Sequence, residues 1–149
     1  MIVENKYFKD IKRIWKYNHN GFITKESNEL LINNDDILKI VYLENNVPAG
    51  YVAVYTKDDF CKLEDFPDKI DKNRNISYIW EIVTDKKYME KGIASKLMQY
   101  VLEKFKGHKI YSCIAKENIL SLRLYEKYVF KEAYQFTKDK EEIMLVKNN

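Results

Sequence analysis

With 149 residues, 26 basic and 23 acidic side chains and a net charge of +3, the chain has the length of one ordinary domain and needs neither disulfides nor metals to bury a core. Hydrophobic residues at 46% and charged residues at 33%, with only four glycines and two prolines, exclude a disordered or collagen-like chain. The charges are interleaved, so no basic block marks a nucleic-acid surface, and no nucleic-acid partner is expected. No apolar run approaches the ~20 residues of a membrane span, and the N-terminus lacks the pattern of a secretory signal, so a soluble, cytoplasmic protein without a membrane partner is expected. Cys61 and Cys113 are too few and too scattered for a disulfide framework or a zinc site, which predicts reduced thiols and no metal.

Taken in order, Ile2 and Val3 read as a short strand. Lys9 to Asn18 carries Ile11, Ile14 and Trp15 at helical spacing, with Asn18, Asn20 and Gly21 as stop signals. Glu26 to Ile32 reads as a second helix with Thr24 as its N-cap. Ile37 to Glu44 and Val47 to Thr56 are rich in Val, Ile and Tyr and flank Asn45 and Asn46, a turn pair that tolerates positive φ, so they predict a hairpin. Gly50 inside its second strand predicts a bulge or a close backbone approach. Lys57 to Asn75 is a long charged loop with room for a short helical turn. The tyrosines at 42, 51, 55, 78 and 88 read mostly as packing, with some available to line an acceptor pocket.

Ile76 to Thr84 is the third strong strand, and it feeds a polar loop that opens at Gly92 into a helix. Ile93, Leu97, Val101 and Phe105 recur every four residues, with Ala94, Met98 and Leu102 one step round, so a broad apolar stripe faces a core. A strand, a loop of amides and a helix N-terminus suit an anion, phosphate above all, because first-turn N–H groups lack intrahelical partners and the macrodipole favours negative charge there. Gly92 admits a close approach to the backbone, Ala94 is small and Ser95 adds a hydroxyl. A lone glycine at such a junction also serves as an ordinary turn.

Lys109 to Ala115 follows as a strand reached by way of that helix, which is the signature of a right-handed parallel crossover. Asn118 to Tyr128 is predicted helical, with Leu120, Leu124 and Tyr128 on one side and Leu122 and Tyr125 adjoining. Glu132 to Thr137 and Glu141 to Val146 form a last hairpin. The order predicts a single-domain α/β fold with a mixed, mostly antiparallel seven-stranded sheet and helices on both faces.

Two stretches in this order, Ile82, Val83 and Thr84 with KGIASKL from Lys91, then Asn118, Ser121, Leu124, Tyr125, Glu126, Lys127 and Phe130, resemble the GNAT superfamily of acyl-CoA-dependent N-acyltransferases. The resemblance is strongest from Trp80 to about Phe136. It implies one N-acetyltransferase domain over residues 1–149, with acetyl-CoA as cosubstrate and a primary amine as acceptor. It further implies that the acyl-CoA arm pairs with the backbone of Ile82, Val83 and Thr84. The pyrophosphate would rest on Met89, Glu90, Lys91, Gly92, Ile93 and Ala94, with Ser95 close by, and Asn118 would bond the arm. Tyr125 matches the tyrosine beside the thioester sulfur, and Glu81 stands where some members carry a general base.

The chemistry these residues suit is direct transfer in a ternary complex. A thioester needs little activation, so the protein has to hold an amine in line, polarise the carbonyl with an N–H, take one proton and protect the leaving thiolate. Glu81 can instead be a solvated or salt-bridged surface glutamate, and Tyr125 an ordinary half-buried aromatic. The fifth strand offers no rival base, since Ile110 to Ala115 contains no acid. Cys113 reads as a small buried hydrophobe, and His19 and His108 as surface or loop residues.

Four positions depart from the family pattern: Lys86 for proline, Met89 for arginine or glutamine, Glu90 for glycine and Val129 for glycine. Met89 and Glu90 should weaken phosphate binding, with Lys86, Lys87 and Lys91 as compensating charges, and Val129 predicts a turn built differently from the glycine form. These losses motivate an alternative in which the domain binds acyl-CoA as a sensor or scaffold without turnover, or serves only as an interaction domain. Between Asp58 and Asp71 six acids, Asp58, Asp59, Glu64, Asp65, Asp68 and Asp71, face two bases, Lys62 and Lys69. That reversal of sign favours a small cationic amine as acceptor, while a protein N-terminus or lysine stays open, as does monomer or homodimer.

Overall fold

The computed structural model describes residues 1–19 and 21–149. The predicted stop at Asn20 therefore lies outside the described residues, while Asn18 does end its helix. The elements are β1 (Ile2–Glu4), α1 (Phe8–Asn18), α2 (Lys25–Asn33), β2 (Ile37–Glu44), β3 (Val47–Tyr55), α3 (Phe60–Glu64), β4 (Ile76–Thr84), α4 (Ile93–Lys104), β5 (Lys109–Ala115), α5 (Ile119–Lys127), β6 (Lys131–Thr137) and β7 (Glu141–Asn148). A short 3-10 turn, Lys86–Tyr88, precedes α4. The seven strands follow the order β1-β2-β3-β4-β5-β7-β6, the α/β class with a seven-stranded, mostly antiparallel sheet that the element order predicted.

The chain divides into two compact units, and β4 contributes to both. The first comprises residues 1–54 and 80–104. In it β1 runs antiparallel to β2, with Ile2 opposite Tyr42, and Asn45 and Asn46 close the β2–β3 turn with φ of 50° and 67°, as amide side chains at such a pair allow. Thr24 caps α2 by accepting from the Ser27 amide at 3.1 Å. The stripe of α4 is buried at Ile93, Leu97, Met98 and Val101. Gly50 marks a close approach: a Cβ there would stand 3.0 Å from Ile93 Cγ2 and 3.1 Å from the Val83 carbonyl oxygen.

The second unit comprises residues 55–79 and 105–149. There β4 and β5 run parallel, Ile76 to Ile79 opposite Lys109 to Ser112, and β7 pairs antiparallel with both β5 and β6. Phe60 stacks on Tyr78 with ring centroids 4.2 Å apart and anchors α3 within the long loop.

Tyr125 is the buried residue of α5, while Leu120 is 60% exposed. One expectation is corrected in this unit. Val129 does not rebuild the turn after α5: it adopts the left-handed conformation at φ 66°. The Val129 amide donates to the Glu126 carbonyl at 2.9 Å and the Phe130 amide to the Tyr125 carbonyl at 3.1 Å, the bond pair of a Schellman motif. Two helix-end bonds and a ring contact outweigh the strain on the valine.

Candidate active site

In the first unit, β4 carries Glu81 inward. The residue is 5% exposed, so the surface-glutamate reading is excluded. Tyr51, from β3, donates its hydroxyl proton to Glu81 Oε2. Asn28, from α2, donates through Nδ2 to the same oxygen at 3.0 Å, and the same amide nitrogen lies 3.3 Å from the Tyr51 hydroxyl. Burial first, and then the Glu81 charge, push the Tyr51 phenol well above its usual range, so its proton stays on oxygen and serves as a donor. A carboxylate taken from water needs such donors, because an ion left bare in the interior is costly.

Helix α2 is held in place to do this. Trp80, next to Glu81, donates its indole N–H to Ser27 Oγ at 2.9 Å, one residue from Asn28. Neither Asn28 nor Tyr51 was legible as a partner of Glu81. The sequence offers Tyr51 only as packing or as a lining of an acceptor pocket, and an asparagine inside an amphipathic helix is the one available signal for Asn28.

After Glu81, Ile82 and Thr84 are half-buried and Val83 is buried. The Asp85 amide donates to the Ala49 carbonyl at 2.8 Å and closes the strand end against β3. Asp85 caps the 3-10 turn through the Lys87 amide and pairs with Arg13 Nη1 at 2.9 Å. Asn18 accepts from the Lys86 amide at 2.6 Å and ties α1 to the same turn. A cavity of about 360 Å³ lined by Arg13, Tyr17, Asn18, Asp85, Lys86 and Lys87 lies here, with positive charge in excess.

The loop beyond carries Met89, 44% exposed, then Glu90 at φ 65° and Gly92 at φ 75°. Glu90 thus holds the left-handed conformation for which glycine is the usual residue. No neighbour lies within 4 Å of a Cβ at Gly92, so glycine serves the backbone angle there and not a tight packing gap. The first bond of α4 runs from the Lys96 amide to the Gly92 carbonyl at 3.0 Å, so the amides of Ile93 and Ala94 face out of the helix start. Lys91 sits over the Tyr88 ring, and Ser95 is half-buried in the first turn. Outward amides with Lys86, Lys87 and Lys91 nearby fit a pyrophosphate.

In the second unit, Asn118 is the N-cap of α5 and its side-chain oxygen accepts from the Ser121 amide at 3.4 Å. Tyr125 is 1% exposed, and Phe130 meets its ring edge-on at 4.9 Å. Its hydroxyl lies 2.8 Å from Ser112 Oγ, which also lies 3.0 Å from the Ile79 carbonyl oxygen. Burial pushes the Tyr125 phenol up, and the bond with Ser112 opposes the shift. Ser112 was missed by sequence reasoning, although a serine within an apolar strand is a visible anomaly.

Cys113 is half-buried with Sγ 3.7 Å from Glu142 Oε2, and burial, then the Glu142 charge, raises its thiol and leaves it a poor nucleophile. His108 shares a 2.7 Å bond with Ser77, and His19 stacks on Trp15. The acidic loop is less negative than its sequence: Lys72 pairs with Asp68 at 2.6 Å and Lys109 with Asp71 at 3.4 Å. Among the described residues no helix is long and apolar enough to cross a membrane.

The fold is similar to ribosomal-protein-S18-alanine N-acetyltransferase from Escherichia coli, with 16% identity, a TM-score of 0.71, and 98% of this chain and 92% of that chain covered. It is also similar to NAA60 from Arabidopsis thaliana, 16% identical both in complex with a bisubstrate analogue (TM-score 0.71, 99% and 97% covered) and in complex with acetyl-CoA (TM-score 0.68, 100% of both chains). Likeness at this identity establishes the fold alone. No curated protein sequence matches the chain. A family model decides the assignment: with residues 6–130 matched by the model of the Acetyltransferase (GNAT) family, over a fold shared with solved N-acetyltransferases, the chain belongs to that family.

Proposed function

We propose that residues 1–149 act as one N-acetyltransferase domain that moves an acetyl group from acetyl-CoA directly to a primary amine in a ternary complex. The observation that carries this reading is the buried carboxylate of Glu81, held on one oxygen by Tyr51 and Asn28. A carboxylate at that depth is costly to keep charged, and a positioned base accounts for it. Acetyl-CoA supplies the thioester. The backbone of Ile82, Val83 and Thr84 holds its arm together with Asn118. The amides from Met89 to Ala94, with Ser95 close by, hold its pyrophosphate with Lys86, Lys87 and Lys91.

Glu81 takes the proton that the amine sheds as the amide bond forms. Tyr125 gives a proton to the departing thiolate, and a β4 amide faces the carbonyl oxygen. The acceptor is a small cationic amine, drawn by the acids of the 58–71 loop that lysines do not neutralise. One relative in fold is named as an N-acetyltransferase of ribosomal-protein-S18 alanine, so a peptide amine belongs in the same test.

The test is a thiol-release screen of polyamines, aminoglycosides, amino acids and peptides with free N-termini, run beside melting with and without acetyl-CoA. At a hundred times its dissociation constant a ligand adds about 2.7 kcal/mol. Stabilisation with no thiol release from any amine replaces this reading by acyl-CoA sensing. No stabilisation by any acyl-CoA leaves an interaction domain.

A further inference from the structure

We propose that Ser112 is a proton-switching, positioning residue for Tyr125, an inference that rests on the reading of Tyr125 as the proton donor to the thiolate. Ser112 is 1% exposed on β5, and its Oγ stands 2.8 Å from the Tyr125 hydroxyl and 3.0 Å from the Ile79 carbonyl oxygen. Ile79 and Ser112 are also the last pair of the parallel β4–β5 register. A serine hydroxyl has one proton to give and two lone pairs, whereas a carbonyl oxygen only accepts. All three atoms are satisfied when Ser112 donates to Ile79 and Tyr125 donates to Ser112. In that state the Tyr125 proton is committed inside the protein.

Rotation about two C–O bonds gives a second state on the same atoms. Ser112 turns its proton from Ile79 to the Tyr125 oxygen, and the Tyr125 proton is released toward a new acceptor. The backbone does not have to move. The Phe130 ring at 4.9 Å and the Schellman bonds from Val129 and Phe130 hold the tyrosine ring while the hydroxyl turns.

The second state is what proton delivery to sulfur requires. The O–H bond of Tyr125 breaks and an S–H bond forms on the thiolate. The phenolate oxygen left behind is buried and needs a donor, which Ser112 supplies. The amine nitrogen loses one proton as the amide forms, and one proton returns to Tyr125 through solvent, so the cycle closes without net uptake or release beyond the neutral amine. With alanine at 112 the phenolate has lost that donor.

Single-turnover rates with acetyl-CoA and the fastest amine of the screen, measured for the parent, Ser112→Ala, Tyr125→Phe and the double variant, test this. Ser112→Ala is expected to lower the chemical rate about tenfold in the parent and to change nothing further in the Tyr125→Phe background, with acetyl-CoA affinity kept. Ser112→Thr, which keeps the hydroxyl, is expected to restore most of the rate. Equal losses in both backgrounds reduce Ser112 to a structural cap on Ile79 and overturn the inference. A full rate in Tyr125→Phe instead overturns the reading of Tyr125, and the two failures are thereby distinct. Where Ser112→Ala does not fold, Ser112→Cys replaces it, with the same shape and a weaker donor.

Discussion

Phe130 meets Tyr125 twice: its amide donates to the Tyr125 carbonyl at 3.1 Å, and its ring stands edge-on to the Tyr125 ring, centroids 4.9 Å apart at 82°. One motif therefore ends α5 and aims the hydroxyl at Ser112. Its cost falls on Val129, left-handed at φ 66° and 61% exposed.

Val129→Gly is expected to raise stability by about 1 kcal/mol, because a left-handed β-branched residue costs roughly 1–2 kcal/mol and an exposed side chain returns little, part of the gain being lost to the flexible unfolded glycine. The urea midpoint should rise at constant m-value with turnover unchanged. A lower midpoint means the valine packs more than its exposure indicates.

Glu81→Gln should keep acetyl-CoA affinity and lower kcat/KM by about 10²–10⁴, the usual worth of a positioned base. Tyr51→Phe withdraws one donor from Glu81 Oε2 and should cost about 1–3 kcal/mol of stability together with a smaller kinetic loss. Steady-state kinetics, calorimetry and urea unfolding separate these effects. Undiminished kcat/KM in Glu81→Gln, with chemistry rate-limiting, removes the base role.

Met89→Arg places a cation beside the proposed pyrophosphate site, and Glu90→Gly removes an anion together with a left-handed non-glycine residue. Each should tighten acetyl-CoA binding at low salt, with a gain that shrinks as ionic strength rises. Calorimetry at two salt concentrations decides it. Equal affinity for both variants and parent shows that Lys86, Lys87 and Lys91 already meet the phosphate charge.

Gly50→Ala drives a Cβ to 3.1 Å from the Val83 carbonyl oxygen and 3.0 Å from Ile93 Cγ2. A backbone oxygen yields little, so the expected cost is about 1–3 kcal/mol with weaker acetyl-CoA binding, since Val83 and Ile93 are both among the proposed cosubstrate contacts. Unchanged unfolding and unchanged affinity refute that coupling.

Replacing Asp58, Asp59 and Asp65 by Asn, and sparing Asp68 and Asp71 because lysines hold them, should lower kcat/KM for a cationic amine at low salt and flatten its salt dependence. A neutral amine should not respond. Identical profiles for the two amines mean that the loop does not recruit substrate.

The local elements were legible in the chain itself. Strand and helix periods, the Asn45–Asn46 turn and the Thr24 cap depend on neighbours a few residues away, so β2, β4 and β5 begin and end where their patterns do. The two motifs around Gly92 and Tyr125 carried the family. What only the tertiary structure decided is which polar groups meet. Asn28 and Tyr51 reach Glu81 across 53 and 30 residues of chain, and Ser112 reaches Ile79 across 33, separations over which no periodicity carries information. Val129 shows the same limit in the backbone. Its own preference opposes φ 66°, and the Phe130–Tyr125 contact together with two helix-end bonds overrides it, because a local preference of about 1–2 kcal/mol yields to several contacts that form only when the chain is folded.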